Sequence, residues 1–278
     1  MQINRVILAG VLAMGWMSAA HAQQGVSLGS GLTDFTRWTL LGDATAQNDT
    51  PGNGFTYSNL VLTASGVEGQ AGAGFAPVAL TMDFDQSFSF DFHFFIPANG
   101  GLRGDGLTFV MADAPFVGGA GSGLGYDGAP TGSVAFAIDT FNFTGEPESP
   151  SLQILQGGSV VPLAYTETHL GDSIRDPNFQ WYATVNYTPS GQDDLRGTFV
   201  GRIEHPDLGS FGVSSLVDFS DLANKPVYYG FTAGNGLATD GHFVTSAAPV
   251  PEPQAYAMML AGLGLMGWFA RRRKQIST

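Results

Sequence analysis

Between Ser87 and Ile96 the chain reads SFSFDFHFFI, with phenylalanine at 88, 90, 92 and 94 and Ser87, Ser89, Asp91 and His93 between them. A period of two sends successive side chains to opposite faces of a pleated ribbon, so this stretch predicts a strand with one dry and one wet face. Each buried phenylalanine contributes roughly 1.5–3 kcal/mol. Four on one face call for a second apolar layer to cover them. His93 reads as a solvated neighbour on the wet face.

Shorter strand-like runs follow the same logic: Phe35 to Leu41, Asn59 to Ala64, Leu107 to Ala112, Val134 to Ile138, Ser151 to Leu155, Gln180 to Thr188, Gly197 to Glu204, Val227 to Thr232 and His242 to Thr245. A polar turn is expected around Asn48-Asp49-Thr50-Pro51-Gly52, between the first two. With 39 Gly, 15 Pro, no helical periodicity and no repeat, the 278 residues read as one large all-β unit, an antiparallel two-sheet sandwich.

The two ends read as addresses. Arg5, the apolar run from Val6 to Met17 and Ala20-His21-Ala22 have the three parts of a secretory signal peptide, so residues 1–22 are a leader cut before Gln23. Residues 23–248 form the body and 249–278 the tail. The tail carries Pro251, Glu252 and Pro253, an apolar segment from 255 to 270, then Arg271, Arg272, Arg273 and Lys274. A helix of that apolar length spans about 24 Å against a hydrocarbon core of about 30 Å, a marginal anchor held in place by the basic residues behind it. This tail resembles the PEP-CTERM sorting signal of Gram-negative bacteria. The resemblance implies transient anchoring in the inner membrane, cleavage by an exosortase-type protease, an exopolysaccharide-producing host, and delivery to the envelope surface or beyond it.

Five of the 11 basic residues lie in the two ends, against Glu252 alone of the 24 acidic residues, so the body is strongly acidic. Such a surface repels phosphate backbones, which excludes nucleic acid and anionic lipid as partners and leaves divalent cations as suitable ones. Without cysteine there is no disulfide framework and no thiolate chemistry. The five histidines are scattered, and HExxH, P-loop and dinucleotide fingerprints are lacking. Gly25-Val26-Ser27-Leu28-Gly29 fits the GxSxG pattern, but without a strand before it and a helix after it the match reads as chance.

One stretch carries chemistry. From Gly104 the chain reads GDGLTFVMADAP, then GGAGSGLGYDGAP, then SVAFAIDTFN, placing Asp105 before one apolar strand and Asp139 at the end of another, with a glycine-rich loop between. Glycine permits turns and close approach of a ligand to the backbone. Asp105-Gly106, Gly118 to Gly125 and Asp139-Thr140-Phe141-Asn142 resemble the legume-lectin or L-type lectin family. So do TLLGDATA, YSNLVLTASG, GAGFAPVAL, FSFDFHFFI, VNYTPSG and YYGFTAGNG, in that order over residues 35 to 246.

The resemblance implies a concanavalin-like jelly roll that binds carbohydrate. Asp105 would accept from two sugar hydroxyls, Asn142 would donate its amide, and a glycine near Gly121 would offer its N–H. The loop through Gly236 and Leu237 would select the sugar. The resemblance also implies a cis peptide at Gly104-Asp105 and a calcium ion held by Asp139, the Phe141 carbonyl, Asn142 and Glu146. The chain departs from the family's transition-metal site, with Ala137 where a Glu stands and Ser151 or Gln153 where a His stands. That second metal is therefore expected to be absent. Asn142 also follows Asp139 by three residues where the family has four. Two alternatives remain: a structural biofilm or surface protein that has lost sugar binding, and a glycoside hydrolase working through Asp83 with Asp85 or Glu146 with Glu148. Neither pair sits in a recognisable hydrolase pattern, so the chain reads as a binding protein rather than an enzyme.

Overall fold

The computed structural model describes residues 26–27, 34–49, 55–175, 180–192 and 194–249. The leader and the sorting signal, with Pro251, Glu252, Pro253, Arg271, Arg272, Arg273 and the apolar segment before them, lie outside the described residues. The strands, in chain order, are β1 (Val26–Ser27), β2 (Thr39–Gly42), β3 (Thr45–Asp49), β4 (Phe55–Thr63), β5 (Ala71–Phe75), β6 (Leu80–Thr81), β7 (Phe88–Phe95) and β8 (Gly106–Ala112), followed by β9 (Val134–Asp139), β10 (Ser151–Gln156), β11 (Ala164–Glu167), β12 (Trp181–Pro189), β13 (Arg196–His205), β14 (Gly209–Asp218), β15 (Pro226–Gly234) and β16 (His242–Pro249). Helical structure among the described residues is limited to short 3₁₀ turns at Phe35–Arg37, Gly121–Gly123 and Gly171–Arg175. No helix among them is long and apolar enough to cross a membrane.

Two sheets result. The back sheet runs β14-β13-β12-β7-β16-β4-β3, with β1 added beside β7; the front sheet runs β11-β10-β9-β8-β15-β5-β2, with β6 beside β15. Pairing is antiparallel except between β1 and β7. The predicted phenylalanine face of β7 turns inward: Phe90 lies 4.6 Å from Phe109 of β8, and Phe92 lies 4.8 Å from Phe231 of β15. Edge and tilted ring contacts of this kind add about 0.5–1.5 kcal/mol each beyond their area. The alternating pattern on β7 thus specifies both its own sheet and the layer that covers it.

β8 and β9 are buried along their whole lengths. Their inner faces meet the back sheet, and their outer faces lie under the glycine-rich loop, where Leu124 and Tyr126 pack with Val110, Ala135 and Ala137 in a second apolar cluster. That is why both strands read as unbroken apolar runs, since a strand covered on two sides has no wet face. The loop comes this close because Gly125 has φ +65° and a Cβ there would stand 2.7 Å from the Ala233 carbonyl oxygen.

Three expectations are corrected. Residues 35–37 form a 3₁₀ turn instead of a strand, because Asp34 accepts hydrogen bonds from the Thr36 N–H and hydroxyl and tightens the chain there. Asn48 and Asp49, expected in a turn, continue β3 and pair with Ser58 and Tyr57; Thr50, Pro51 and Gly52 lie outside the described residues. Val26 and Ser27 of the GxSxG match, outside every predicted strand, form the parallel strand β1. β5 and β14 went unpredicted for a compositional reason. The glycines of AGAGF and of GSFGVSSLVD mask the period of two, and in β5 they are required because Leu62 and Leu60 lie where Cβ atoms at Gly72 and Gly74 would go.

One buried side chain makes the sandwich acid-sensitive. His242, at the start of β16, is fully buried, its Nδ1 paired with the Thr63 hydroxyl at 2.7 Å and its Nε2 without a partner. Burial lowers its pKa to about 3, from 6.5 in the open chain. A depressed histidine contributes stability above its unfolded pKa and loses it as pH falls toward the folded value. Thermal unfolding of His242→Gln and the natural chain should therefore diverge between pH 6.5 and pH 4, the natural chain losing several degrees more. Parallel profiles would show that His242 does not titrate on unfolding.

Candidate functional site

Three strand ends meet at one rim of the front sheet. β8 begins at Gly106, which pairs with Asp139 at the end of β9 and with Gly234 at the end of β15. Asp105 sits just ahead of that junction, and its backbone is fixed on both sides. Its N–H donates to the Gly234 carbonyl at 3.2 Å, and its carbonyl accepts from the Thr140 N–H and hydroxyl at 2.7 and 3.0 Å. The Gly104-Asp105 peptide is cis, as expected.

Here a shallow cavity of about 330 Å³ is lined by Leu102, Asp105, Ala120, Gly121, Ser122, Phe141, Phe143, Gly236, Leu237 and Ala238. The fold thus brings together Asp105, Gly121, Gly236 and Leu237, predicted as sugar contacts, and adds Phe141, predicted through its carbonyl only. Asp105 Oδ2 is buried without a hydrogen-bond partner and points between Gly121 and Gly236, where added Cβ atoms would stand 3.9 and 3.2 Å from it. Burial raises the Asp105 pKa to about 6; the nearby Gly236 backbone N–H, outside hydrogen-bond geometry, opposes the rise, and the charges of Glu146 and Asp240 add to it. The floor of the cavity is therefore a desolvated acceptor, while the rim is apolar, with Leu102, Phe143 and Leu237 exposed.

Two expected contacts are arranged differently. Gly121 is at the cavity, but its N–H already donates to the Asn235 carbonyl at 3.0 Å. Asn142 is exposed and does not line the cavity; its Oδ1 accepts from the Ser149 hydroxyl at 3.4 Å. Phe141 and Phe143, on either side of Asn142, line the cavity instead. Sequence reasoning passed over Leu102 and Phe143, although an apolar residue one turn before Asp105 and the alternation Phe141-Asn142-Phe143 were visible signals.

Asp139 lies behind the cavity, buried. Its Oδ1 accepts from the Phe141 N–H at 3.1 Å and its Oδ2 from the Gln153 amide at 2.8 Å. Burial raises its pKa to about 8, outweighing the hydrogen bonds from Phe141 and Gln153, with smaller added repulsion from Glu146 and Asp105. Gln153 stands opposite Ala137 across the β9–β10 ladder and also donates to the Ser151 hydroxyl at 2.9 Å. Where the resemblance implies a transition metal, this chain places an amide, a hydroxyl and a methyl group.

Around the expected calcium position the donors are hard oxygens: the Asp139 and Glu146 carboxylates, the Phe141 carbonyl and the Asn142 amide. No group of three acidic, histidine or cysteine side chains among the described residues converges as a metal cluster. Glu146 is turned onto the Phe143 N–H. These are the donor types that calcium takes, and Asp139 is the buried carboxyl among them.

With this geometry in place, the fold is that of the legume lectins. A lectin from Bauhinia forficata in complex with GalNAc superposes with a TM-score of 0.57 at 21% identity, over 77% of this chain and 99% of that one. Arcelin-5, a lectin-like defense protein from Phaseolus vulgaris, gives 0.59 at 17%, over 79% and 96%. The exoplasmic/lumenal domain of VIP36 in its Ca2+/Man-bound form gives 0.52 at 16%, over 76% and 82%. At these identities the shared property is the fold. No curated protein sequence matches the chain. Residues 249–274 match the PEP-CTERM protein-sorting motif, the mark of an exported protein processed by an exosortase at the envelope.

Proposed function

We propose that this chain is an exported carbohydrate-binding protein, calcium-assisted and non-enzymatic, acting at the bacterial envelope surface or in an exopolysaccharide matrix. The observation that carries the reading is the buried, unpartnered Oδ2 of Asp105 at the floor of a cavity with an apolar rim. A desolvated carboxylate oxygen lacks a donor that a sugar hydroxyl supplies, and Phe141, Phe143, Leu102 and Leu237 match the C–H face of a pyranose. Glu146 and Asp240 repel further negative charge there, which favours a neutral sugar. Among the described residues Asp105 is the one carboxylate lining the cavity, whereas paired-acid glycoside hydrolysis needs a second facing it. The leader at 1–22 and the tail at 249–278 frame the body at 23–248. The apolar segment holds the chain in the inner membrane until the exosortase cuts.

Calcium, held by Asp139, the Phe141 carbonyl, Asn142 and Glu146, supplies positive charge that keeps the buried carboxylates ionised. The sign of the resulting pH dependence is definite. A carboxyl whose folded pKa lies above its unfolded value stabilises the fold at low pH and loses that contribution as pH rises through the folded pKa. For Asp139 the window runs from about 4 to about 8. Calcium should therefore raise Tm more at pH 8 than at pH 5, by roughly 5 °C or more. An equal or absent calcium effect at both pH values contradicts the assignment.

A glycan array probed with calcium and again with chelator tests the whole reading, with calcium-reversible binding to neutral glycans as the expected result. A second reading, a structural surface protein without sugar binding, is favoured by the placement of Asn142 and the engaged N–H of Gly121. Silence of the folded protein on the array supports it, and release of reducing sugar would instead indicate a hydrolase.

A further inference from the structure

We infer that Arg175 and Asp240 form a positioning pair that locks the two cavity loops, 99–105 and 235–240, into one cradle, so that recognition depends on two residues that line no part of the cavity. Its functional consequence rests on the carbohydrate-binding reading above. Asp240 is fully buried and gathers donors from three directions. Its Oδ1 accepts from the Asn99 N–H at 2.7 Å, its Oδ2 from the Gly104 N–H at 3.2 Å, and both from Arg175 Nη1 at 3.2 and 3.3 Å. The Gly104 N–H belongs to the residue just before Asp105, so this carboxylate sets the entry of the loop that aims the cavity's acceptor.

Arg175, also buried, completes the clamp from the other side. Its Nη1 reaches the Leu102 carbonyl at 3.1 Å, and its Nη2 meets Asp172 at 2.9 Å, which in turn accepts from Arg103 at 3.2 Å. The Asn235 amide donates to the Asp240 carbonyl at 3.3 Å, and the Asn99 amide to the Thr239 hydroxyl at 2.6 Å, tying the second loop to the same knot. Charge-assisted bonds of this kind are stronger and more directional than neutral ones. Arg175 Nε, however, is buried without a partner. A buried ion pair with an unsatisfied donor is often no more stable than apolar packing would be, which supports conformational specificity as the reason it is kept.

The test compares the full chain with Arg175→Met, Arg175→Lys and Asp240→Asn. Amide hydrogen exchange should accelerate about tenfold or more over residues 99–105 and 235–240, while the amides of β7, β8 and β12 keep their protection. Affinity for a neutral glycan selected on the array should fall about tenfold, and Arg175→Lys should recover part of both effects, since lysine retains the charge without the planar fork. If Arg175→Met fails to fold, Asp240→Asn, nearly isosteric, carries the same comparison. Unchanged loop protection, or protection lost evenly through the core, overturns the inference. The exchange result decides the pairing even if the natural chain binds no glycan, so failure of the clamp and failure of the carbohydrate reading are told apart.

Discussion

Asp105→Asn is expected to remove glycan binding, by about a hundredfold or more, while leaving the fold as stable as before or firmer. Two hydrogen bonds from sugar hydroxyls to a desolvated carboxylate are charge-assisted, and an amide offers one oxygen in their place. The stability half follows from the raised pKa of about 6. Above that pH the natural chain keeps an ionised, buried carboxylate near Glu146 and Asp240, and the substitution removes the penalty. Its Tm should thus match or exceed that of the natural chain at pH 8, with the gap closing at pH 5, where Asp105 is already protonated. Calorimetric titration with an array-selected glycan, beside thermal scans at both pH values, checks both halves. Retained binding would place recognition elsewhere, and a large drop in Tm would make Asp105 a structural residue.

The second large effect lies four residues along the chain. Phe109→Ala opens a cavity where the two sheets meet, because the ring contacts Phe90 at 4.6 Å, Phe231 at 5.9 Å and Phe92 at 6.2 Å. Truncations of this kind cost about 3–5 kcal/mol, which for a sandwich of this size lowers Tm by roughly 6–20 °C. Urea unfolding should show a lower midpoint with an unchanged slope. A loss below 1 kcal/mol would mean that the layers are not joined through these rings. Side by side, the two variants separate site from scaffold four residues apart: one loses ligand and keeps its melting temperature, the other the reverse.

Much of the scaffold could be read in advance because its signals are local. The alternation from Phe88 to Phe94 gives a strand and a face, and the unbroken runs at 107–112 and 134–138 give strands covered on both sides. Where glycine replaces the branched residues of a strand, as in AGAGF, the period disappears, because close approach of neighbouring chain sets the composition there. The site was legible in part for a related reason. Asp105, Gly121, Gly236 and Leu237 belong to short motifs whose order survives, and strand register brings them to one rim. Asn142 stands apart from the cavity with its Oδ1 on the Ser149 hydroxyl, a placement that residue spacing alone does not resolve. Asp240 and Arg175 gave no signal at all. A single aspartate after a glycine loop and an arginine 65 positions away become partners only once the loops are folded together.

On the carbohydrate-binding reading, Asp105 Oδ2 at the cavity floor takes a hydrogen bond from a sugar hydroxyl. A crystal of the 23–248 body soaked with a neutral glycan chosen on the array, in the presence of calcium, tests it most directly. The expected result is a pyranose with a hydroxyl within hydrogen-bond distance of Asp105 Oδ2 and its C–H face against Phe141 or Phe143. A glycan seated anywhere else on the sandwich, with this cavity left to water, would contradict it.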